Sequence, residues 1–138
     1  MKTLKLKCKI RKKPIKKKPI KKKTIKNRLD KKWSLIIRSR GYCEKCGANT
    51  QLLNAHHLEG RRNLSLRWDI RNGCCLCVSC HTMSTNSAHQ SPLRFNEWFE
   101  EKRPEDFKYI KESFKIPPHP YSVDDYLKIE DGLDKLVP

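Results

Sequence analysis

The segment "LRWDIRNGCCLCVSCH", residues 66–81, holds four of the seven cysteines of this 138-residue chain. It contains the pair Cys77-Val-Ser-Cys80, which follows a first pair, Cys43-Glu-Lys-Cys46, after a spacing of 30 residues. Two CxxC pairs of this kind can bring four thiolates together in the tetrahedral arrangement that zinc accepts from sulfur. The spacing therefore predicts one structural zinc ion, bound by Cys43, Cys46, Cys77 and Cys80.

Two further cysteines of the segment, Cys74 and Cys75, lie in the apolar run "GCCLCV" and are possible competing ligands. Because a free cysteine behaves as a small hydrophobic residue, we expect both to be buried in a strand. The odd number of cysteines and the lack of a secretory signal favour reduced thiols over disulfides. We expect an intracellular protein, in the cytoplasm of a bacterial or phage-infected cell, with no membrane association.

The positive charge of the chain is concentrated at its N-terminal end. Residues 1–32 contain 17 Lys or Arg and one acidic residue, whereas the remaining 106 residues carry 15 basic and 14 acidic residues. Residues 11–25 form a five-residue repeat, "RKKPIKKKPIKKKTI", in which proline and like charges oppose a helix. We expect residues 1–28 to be a disordered basic tail that contacts DNA phosphates without sequence preference. A solubilising tail or a localisation signal is the alternative.

Helices are predicted on both sides of the cysteine segment. Before it, apolar residues at helical spacing predict a helix from Leu29, with Asp30 as its N-cap and Gly41 at its end. After it, Ser91-Pro92 and Pro104 are typical helix starts, and Ser122 begins a last short helix after a proline-rich connector. The apolar faces of the two middle helices are predicted to comprise Leu93, Phe95, Trp98, Phe99, Phe107, Ile110 and Phe114.

Between the two CxxC pairs the pattern predicts a strand, a polar loop, a second strand and a helix that begins near Cys80. The first strand ends in the doublet His56-His57, whose side chains should point to opposite faces and have different tasks. A metal-bound imidazole cannot accept a proton through the same nitrogen, so one histidine could bind metal while the other acts as a base. A zinc-ligand pair or a buried hydrogen-bonded pair is the structural alternative, and His81 could instead replace a cysteine ligand.

This arrangement resembles the HNH nuclease family, many of whose phage members carry CxxC zinc knuckles. The resemblance covers residues 29–100 and includes the doublet "HH", Asn72, His81 and the tract "LRWDIRNGCCLCVSCH". It implies a ββα-metal core with His56 and His81 as ligands of a catalytic Mg²⁺, Mn²⁺, Ni²⁺ or Zn²⁺ ion. It also implies that His57 activates water and that Asn72 orients the loop backbone.

Five more residues of this region are weaker candidates. His89 lies eight residues after His81, about 12 Å along a continuous helix, so it can share the ion only if "HTMSTNSAH" breaks the helix. Asp69 is a possible ligand, although it more naturally caps the turn before Asn72. Phosphate contacts are assigned to the loop cations Arg61, Arg62 and Arg67.

The sequence thus predicts a small α+β protein with a ββα-metal HNH core, a four-cysteine zinc site and flanking helices. The predicted divisions are a tail at 1–28, a nuclease domain at 29–116, and a connector with a C-terminal helix at 117–138. The expected activity is metal-dependent hydrolysis of DNA phosphodiester bonds. The alternative is a non-catalytic zinc-binding, DNA-binding protein that assists phage recombination or packaging proteins. The sequence does not specify the oligomeric state.

Overall fold

A computed structural model describes residues 19–115 and 119–138. Within these two ranges, two antiparallel strands and four α-helices make up a small α+β fold, as predicted. None of the described helices is long and apolar enough to span a bilayer. The elements are α1 (Lys22–Arg38), β1 (Leu53–His57), a 3₁₀ turn (Ile70–Asn72), β2 (Gly73–Cys77), a π-helical turn (Ser79–Met83), α2 (Pro92–Lys102), α3 (Pro104–Phe114) and α4 (Val123–Asp134).

The two strands form the layer between two hydrophobic cores. Their register pairs Leu53 with Cys77 and His57 with Gly73, and the loop of residues 58–72, here called the connecting loop, joins them. Side chains alternate along β2, so that Cys74 belongs to one core and Cys75 to the other. The predicted order of strand, loop and strand is confirmed, whereas the element that follows is a π-helical turn rather than an α-helix.

One core lies between the sheet and helices α2 and α3. Phe95, Phe99 and Ile110 are buried there, and both helices begin with proline as predicted. The predicted burial of Leu93 and Phe114 is wrong, since these side chains are 80% and 60% exposed. Leu93 lies two positions, about 200° around the helix, from Phe95, so the two cannot both face the sheet. Phe114 is the last residue of α3.

The other core is formed by α1 and α4. Apolar residues repeat every four positions along α1, and they pack against Tyr126 and Leu133 of α4. Glu130 of α4 also forms ion pairs with Arg28 and Lys32 of α1, at 2.5 and 3.0 Å. The C-terminal helix, which begins with the predicted Ser122 cap, therefore shares a core with α1. The buried residues of α1 are Ile25, Leu29, Trp33 and Ile37.

The start of α1 differs from the prediction. The helix begins at Lys22, so residues 22–28, which were assigned to the tail, belong to it. Burial of Ile25 extends the apolar face by about one turn beyond Leu29 and stabilises this lysine-rich segment as a helix. Asp30, predicted as the N-cap, therefore lies inside the helix. The predicted conformation of residues 1–18 lies outside the described residues, as do residues 116–118 of the connector.

Candidate functional site

The four cysteines of the two CxxC pairs form one cluster. Their sulfur atoms all lie within 4.8 Å of one another, and the Sγ atoms of Cys46 and Cys77 are 3.8 Å apart. Gly41 and Gly47, on either side of the first pair, have φ angles of +80° and +74°, a conformation that favours glycine. Both glycines therefore allow the tight backbone turns on either side of this pair.

The cysteine cluster fits a structural zinc ion. A tetrahedron with Zn–S bonds of about 2.3 Å has S–S edges of about 3.8 Å, whereas a disulfide requires about 2.05 Å. Burial and the neighbouring thiols raise the pKa of Cys80. Burial also opposes ionisation of Cys43, but backbone N–H groups outweigh it and lower the pKa of Cys43 to about 7. Four clustered thiols ionise together only when a cation balances their charge, which supports a structural metal site.

Cys74 and Cys75 do not belong to this cluster. Both are fully buried, one in each core, and burial raises the pKa of Cys75 to about 11 and that of Cys74 further still. They are neutral thiols that pack as small apolar side chains, as predicted.

A carboxylate from the first CxxC pair links the zinc knuckle to the sheet. The backbone N–H of Glu44 donates to the carbonyl of Cys75 at 2.8 Å, and its carboxylate accepts from the N–H of Cys75 at 2.5 Å. The same carboxylate also accepts from Arg40 and Arg103. The role of Glu44 was not predictable from the sequence, because Cys75 and Arg103 lie 31 and 59 residues away.

Three histidines form a second cluster. His56 lies in β1, His81 in the π-helical turn and His89 just before α2, and one ring nitrogen of each lies within 4.8 Å of the other two. The Nε2 atoms of His81 and His89 are 3.2 Å apart. The rings meet edge to face, with centroid separations of 4.7 to 5.3 Å. His89 thus joins the two ligands that the family resemblance implied.

The helical conformation ends soon after His81, and this brings His89 back to the cluster. The π-helical turn ends at Met83, and Ser84 is extended. The chain then folds back, so that the N–H of Ala88 donates to the carbonyl of Cys80 and the N–H of His89 to that of His81, at 2.9 and 3.2 Å. This backbone pairing replaces the separation of about 12 Å that a continuous helix would impose.

The histidine cluster is suited to hold a divalent cation. Burial, followed by the nearby His81 and His89, lowers the pKa of His56 to about 3. Burial and His89 also lower the pKa of His81. Neutral imidazoles offer the lone pairs that a metal requires, and three nitrogen donors suit Zn²⁺, Ni²⁺ or Mn²⁺ better than Mg²⁺. The side chains present therefore fit a second metal site.

His57 faces the opposite side of β1 from His56. Its ring stacks on the indole of Trp33, with centroids 3.7 Å apart and planes 12° apart. Its Nε2 atom lies 2.8 Å from the carbonyl oxygen of Arg67. A carbonyl can only accept, so Nε2 carries the proton and Nδ1 keeps its lone pair. Burial, which outweighs the opposing effect of that carbonyl, lowers the pKa of His57 and keeps the ring neutral.

Both histidines of the doublet nevertheless reach one cleft, because they end the strand. The cleft has a volume of about 280 Å³. It brings together the three clustered histidines, the neutral imidazole of His57 and the exposed guanidinium of Arg61. Its lining residues are Ala55, His56, His57, Gly60, Arg61, His81 and His89.

Asn72 closes the connecting loop. Its side chain is fully buried and makes three hydrogen bonds to loop backbone. Oδ1 accepts from the N–H of Glu59 at 2.7 Å, and Nδ2 donates to the carbonyls of Glu59 and Leu66 at 2.9 and 3.0 Å. Asp69 caps the turn before it by accepting from the N–H of Arg71, as expected. These bonds hold the loop that carries the Arg67 carbonyl.

The three loop arginines occupy different positions. Arg61 is exposed and lines the cleft, while Arg62 is exposed outside the set of lining residues. Arg67 donates two hydrogen bonds to the carboxylate of Asp30, at 3.0 and 2.7 Å, and is largely buried. Because α1 already provides an anionic partner for Arg67, a phosphate contact by this residue stays a prediction.

Comparisons of the chain with protein-family models, with curated proteins and with solved structures gave no match. Any functional conclusion therefore depends on the two clusters, the cleft and the connecting loop described above.

Proposed function

We propose that this protein is a metal-dependent endonuclease of the HNH type that hydrolyses DNA phosphodiester bonds. The observation that carries the proposal is the pairing, in one cleft, of three histidine nitrogens within 4.8 Å with a separate histidine, His57, whose Nε2 is bonded to a backbone carbonyl and whose Nδ1 has no hydrogen-bond partner among the described residues. In this proposal β1, the connecting loop, β2 and the π-helical turn form the ββα-metal core of that family.

The residues of the cleft have different roles in the proposed hydrolysis. His56, His81 and His89 would hold the divalent ion, which when bound polarises the phosphate and stabilises the leaving 3′ oxygen. His57 accepts a proton from water at Nδ1, while its Nε2–H stays bonded to the Arg67 carbonyl. Arg61, exposed at the same cleft, contacts a phosphate oxygen. The products are a 5′-phosphate and a 3′-hydroxyl, as the family resemblance implies.

Charge supports DNA as the substrate. Of the 32 basic residues in the chain, 17 lie within residues 1–32. Neutralising phosphates with these side chains releases counterions and adds affinity that falls as salt concentration rises. The basic segment thus retains DNA without selecting a sequence, and the cleft supplies the chemistry.

Cleavage of supercoiled plasmid by the full-length protein tests the proposal. With Mn²⁺, Mg²⁺, Ni²⁺ or Zn²⁺ added, the wild type should nick the plasmid. His57→Ala should reduce the rate by about 10²- to 10⁴-fold, since a general base contributes that much. His119→Ala is the matched control, because His119 is an exposed histidine outside the cleft, and it should cut at the wild-type rate.

Two outcomes would contradict the proposal. If His57→Ala cuts as fast as the wild type, His57 is not the base. If the wild type binds DNA in a salt-sensitive way and cuts with none of the four ions, the protein is a non-catalytic zinc-binding, DNA-binding protein. Chelators are unsuitable as the main test, because they also remove the structural zinc.

A further inference from the structure

Asp30 is an ionised carboxylate on α1 that binds two consecutive residues of the connecting loop. It accepts two hydrogen bonds from Arg67, at 3.0 and 2.7 Å, and one from the indole N–H of Trp68, at 2.8 Å. Burial opposes its ionisation, but the bonds from Arg67 and Trp68 outweigh this and hold the pKa of Asp30 below its usual value. The contact is well shielded, with the Asp30 side chain 24% and the Arg67 side chain 18% exposed.

The backbone between those two anchored side chains carries the acceptor for His57. The carbonyl of Arg67 lies 2.8 Å from Nε2 of His57, while the guanidinium of the same residue is held by Asp30. Any shift of Arg67 relative to α1 therefore moves this carbonyl relative to the imidazole. Trp33 adds a further contact nearby, because its indole N–H donates to the carbonyl of Asp69 at 2.9 Å.

The stack on Trp33 alone cannot orient His57. An indole face fixes the plane of the imidazole, with the two rings 12° from parallel. It does not determine which nitrogen faces the cleft, because a flip of the ring leaves its plane unchanged. The Arg67 carbonyl distinguishes the two orientations, since it accepts a hydrogen bond only from a protonated nitrogen. The orientation of the free nitrogen therefore depends on the position of residue 67.

We propose that Asp30 is a positioning residue for His57. Its carboxylate fixes Arg67 and Trp68 on α1, so that the Arg67 carbonyl holds the proton of His57 on Nε2 and leaves Nδ1 free toward the cleft. The catalytic half of this inference depends on the proposed function, whereas the orientation of His57 does not. Asp30 touches neither substrate nor metal in this role.

NMR of the ¹⁵N-labelled full-length protein, saturated with Zn²⁺, tests the inference directly. In the wild type, long-range ¹H–¹⁵N spectra should show His57 protonated on Nε2 alone. Asp30→Ala should give a mixture of tautomers, and Asp30→Asn, which keeps an acceptor but loses the charge, should give a smaller change. Glu130→Gln is the matched control, since Glu130 also forms ion pairs with α1 but binds Arg28 and Lys32, away from His57. It should leave the tautomer unchanged.

Cleavage kinetics supply the second measurement. Asp30→Ala should lower kcat by about 10- to 100-fold with little change in KM, because a displaced base misaligns the reacting atoms. Glu130→Gln should not lower kcat. A wild-type tautomer in both Asp30 variants overturns the inference, and so does a similar tautomer change in Glu130→Gln. If the wild type cuts no DNA while the tautomer responds to Asp30, the proposed function fails and the orienting contact stands.

Discussion

At the residue scale, the connecting loop depends on a single buried amide. Asn72 is the only side chain that links Glu59 to Leu66 within the described residues, through the three hydrogen bonds of its Oδ1 and Nδ2 atoms. No other residue type supplies one acceptor and two donors in a group of this size. The requirement for asparagine is therefore stereochemical.

Asn72→Ala should lower the free energy of unfolding by about 2–5 kcal/mol, because it leaves buried backbone groups without partners. Asn72→Asp should also destabilise the protein, since a carboxylate cannot donate to the carbonyls of Glu59 and Leu66. Urea unfolding measures both changes. Asn63→Ala is the control within the same loop, because Asn63 makes one hydrogen bond, to the N–H of Ser65, and should lose at most about 1 kcal/mol. Equal losses for Asn63 and Asn72 would contradict this explanation.

At the scale of elements, the close approach of α1 to β2 requires Gly73. A Cβ atom at this position would lie 2.7 Å from Cγ1 of Ile37 and 2.8 Å from Cζ2 of Trp33. Gly73 also pairs with His57 across the sheet, so the same approach allows Trp33 to stack on the His57 ring. A larger residue would separate α1 from the sheet and remove the stack.

Gly73→Ala should therefore lower the free energy of unfolding by about 1–3 kcal/mol through overpacking. The loss caused by Gly73→Ala should be smaller in an Ile37→Ala background than in the wild type, because the contact with the Ile37 side chain is then removed. Gly132→Ala is the matched control: its Cβ would contact nothing within 4 Å, so it should stabilise α4 by about 0.5–1 kcal/mol. Urea unfolding of the four variants measures these changes. A loss from Gly132→Ala, or none from Gly73→Ala, would refute the argument.

At the scale of the whole molecule, we expect the two small cores to depend on the cysteine cluster for part of their stability. A domain of this size gains limited stability from burial alone, and the cysteine cluster joins the segment after α1 to the end of β2. The zinc knuckle therefore ties together chain segments that belong to both cores, and its loss should affect the fold as a unit.

Cys77→Ser should abolish tight binding of the structural zinc and the cooperative thermal unfolding transition. Cys75→Ala is the control, since Cys75 is buried but is not a ligand; it should keep the zinc and lose about 1–2 kcal/mol of unfolding free energy. Metal analysis after dialysis, together with thermal melting, measures the outcome. Retention of the same zinc content by Cys77→Ser would exclude this ligand set.

Features that depend on local sequence patterns were predictable, whereas features that depend on tertiary contacts were not. The CxxC spacing, the "HH" doublet at the end of a strand and the prolines that start α2 and α3 are local signals, and each predicted its cluster or element. The roles of Asp30 and Glu44 were not predictable, because Arg67 and the backbone of Cys75, which they bind, lie more than 30 residues away. The start of α1 was not predictable from the local pattern, because burial of its apolar side chains against α4 offsets the repulsion between its lysines.

The peptide bond between Cys80 and His81 joins the two candidate metal sites directly. One residue belongs to the cysteine cluster and the next to the histidine cluster, and Cys80 also accepts the backbone bond that returns the chain toward His89. Ordering the first cluster thus reduces the conformational entropy that the second must lose, and the linkage is reciprocal. We therefore expect the two clusters to be coupled, so that cation binding at the histidine cluster weakens when the cysteine cluster is disrupted.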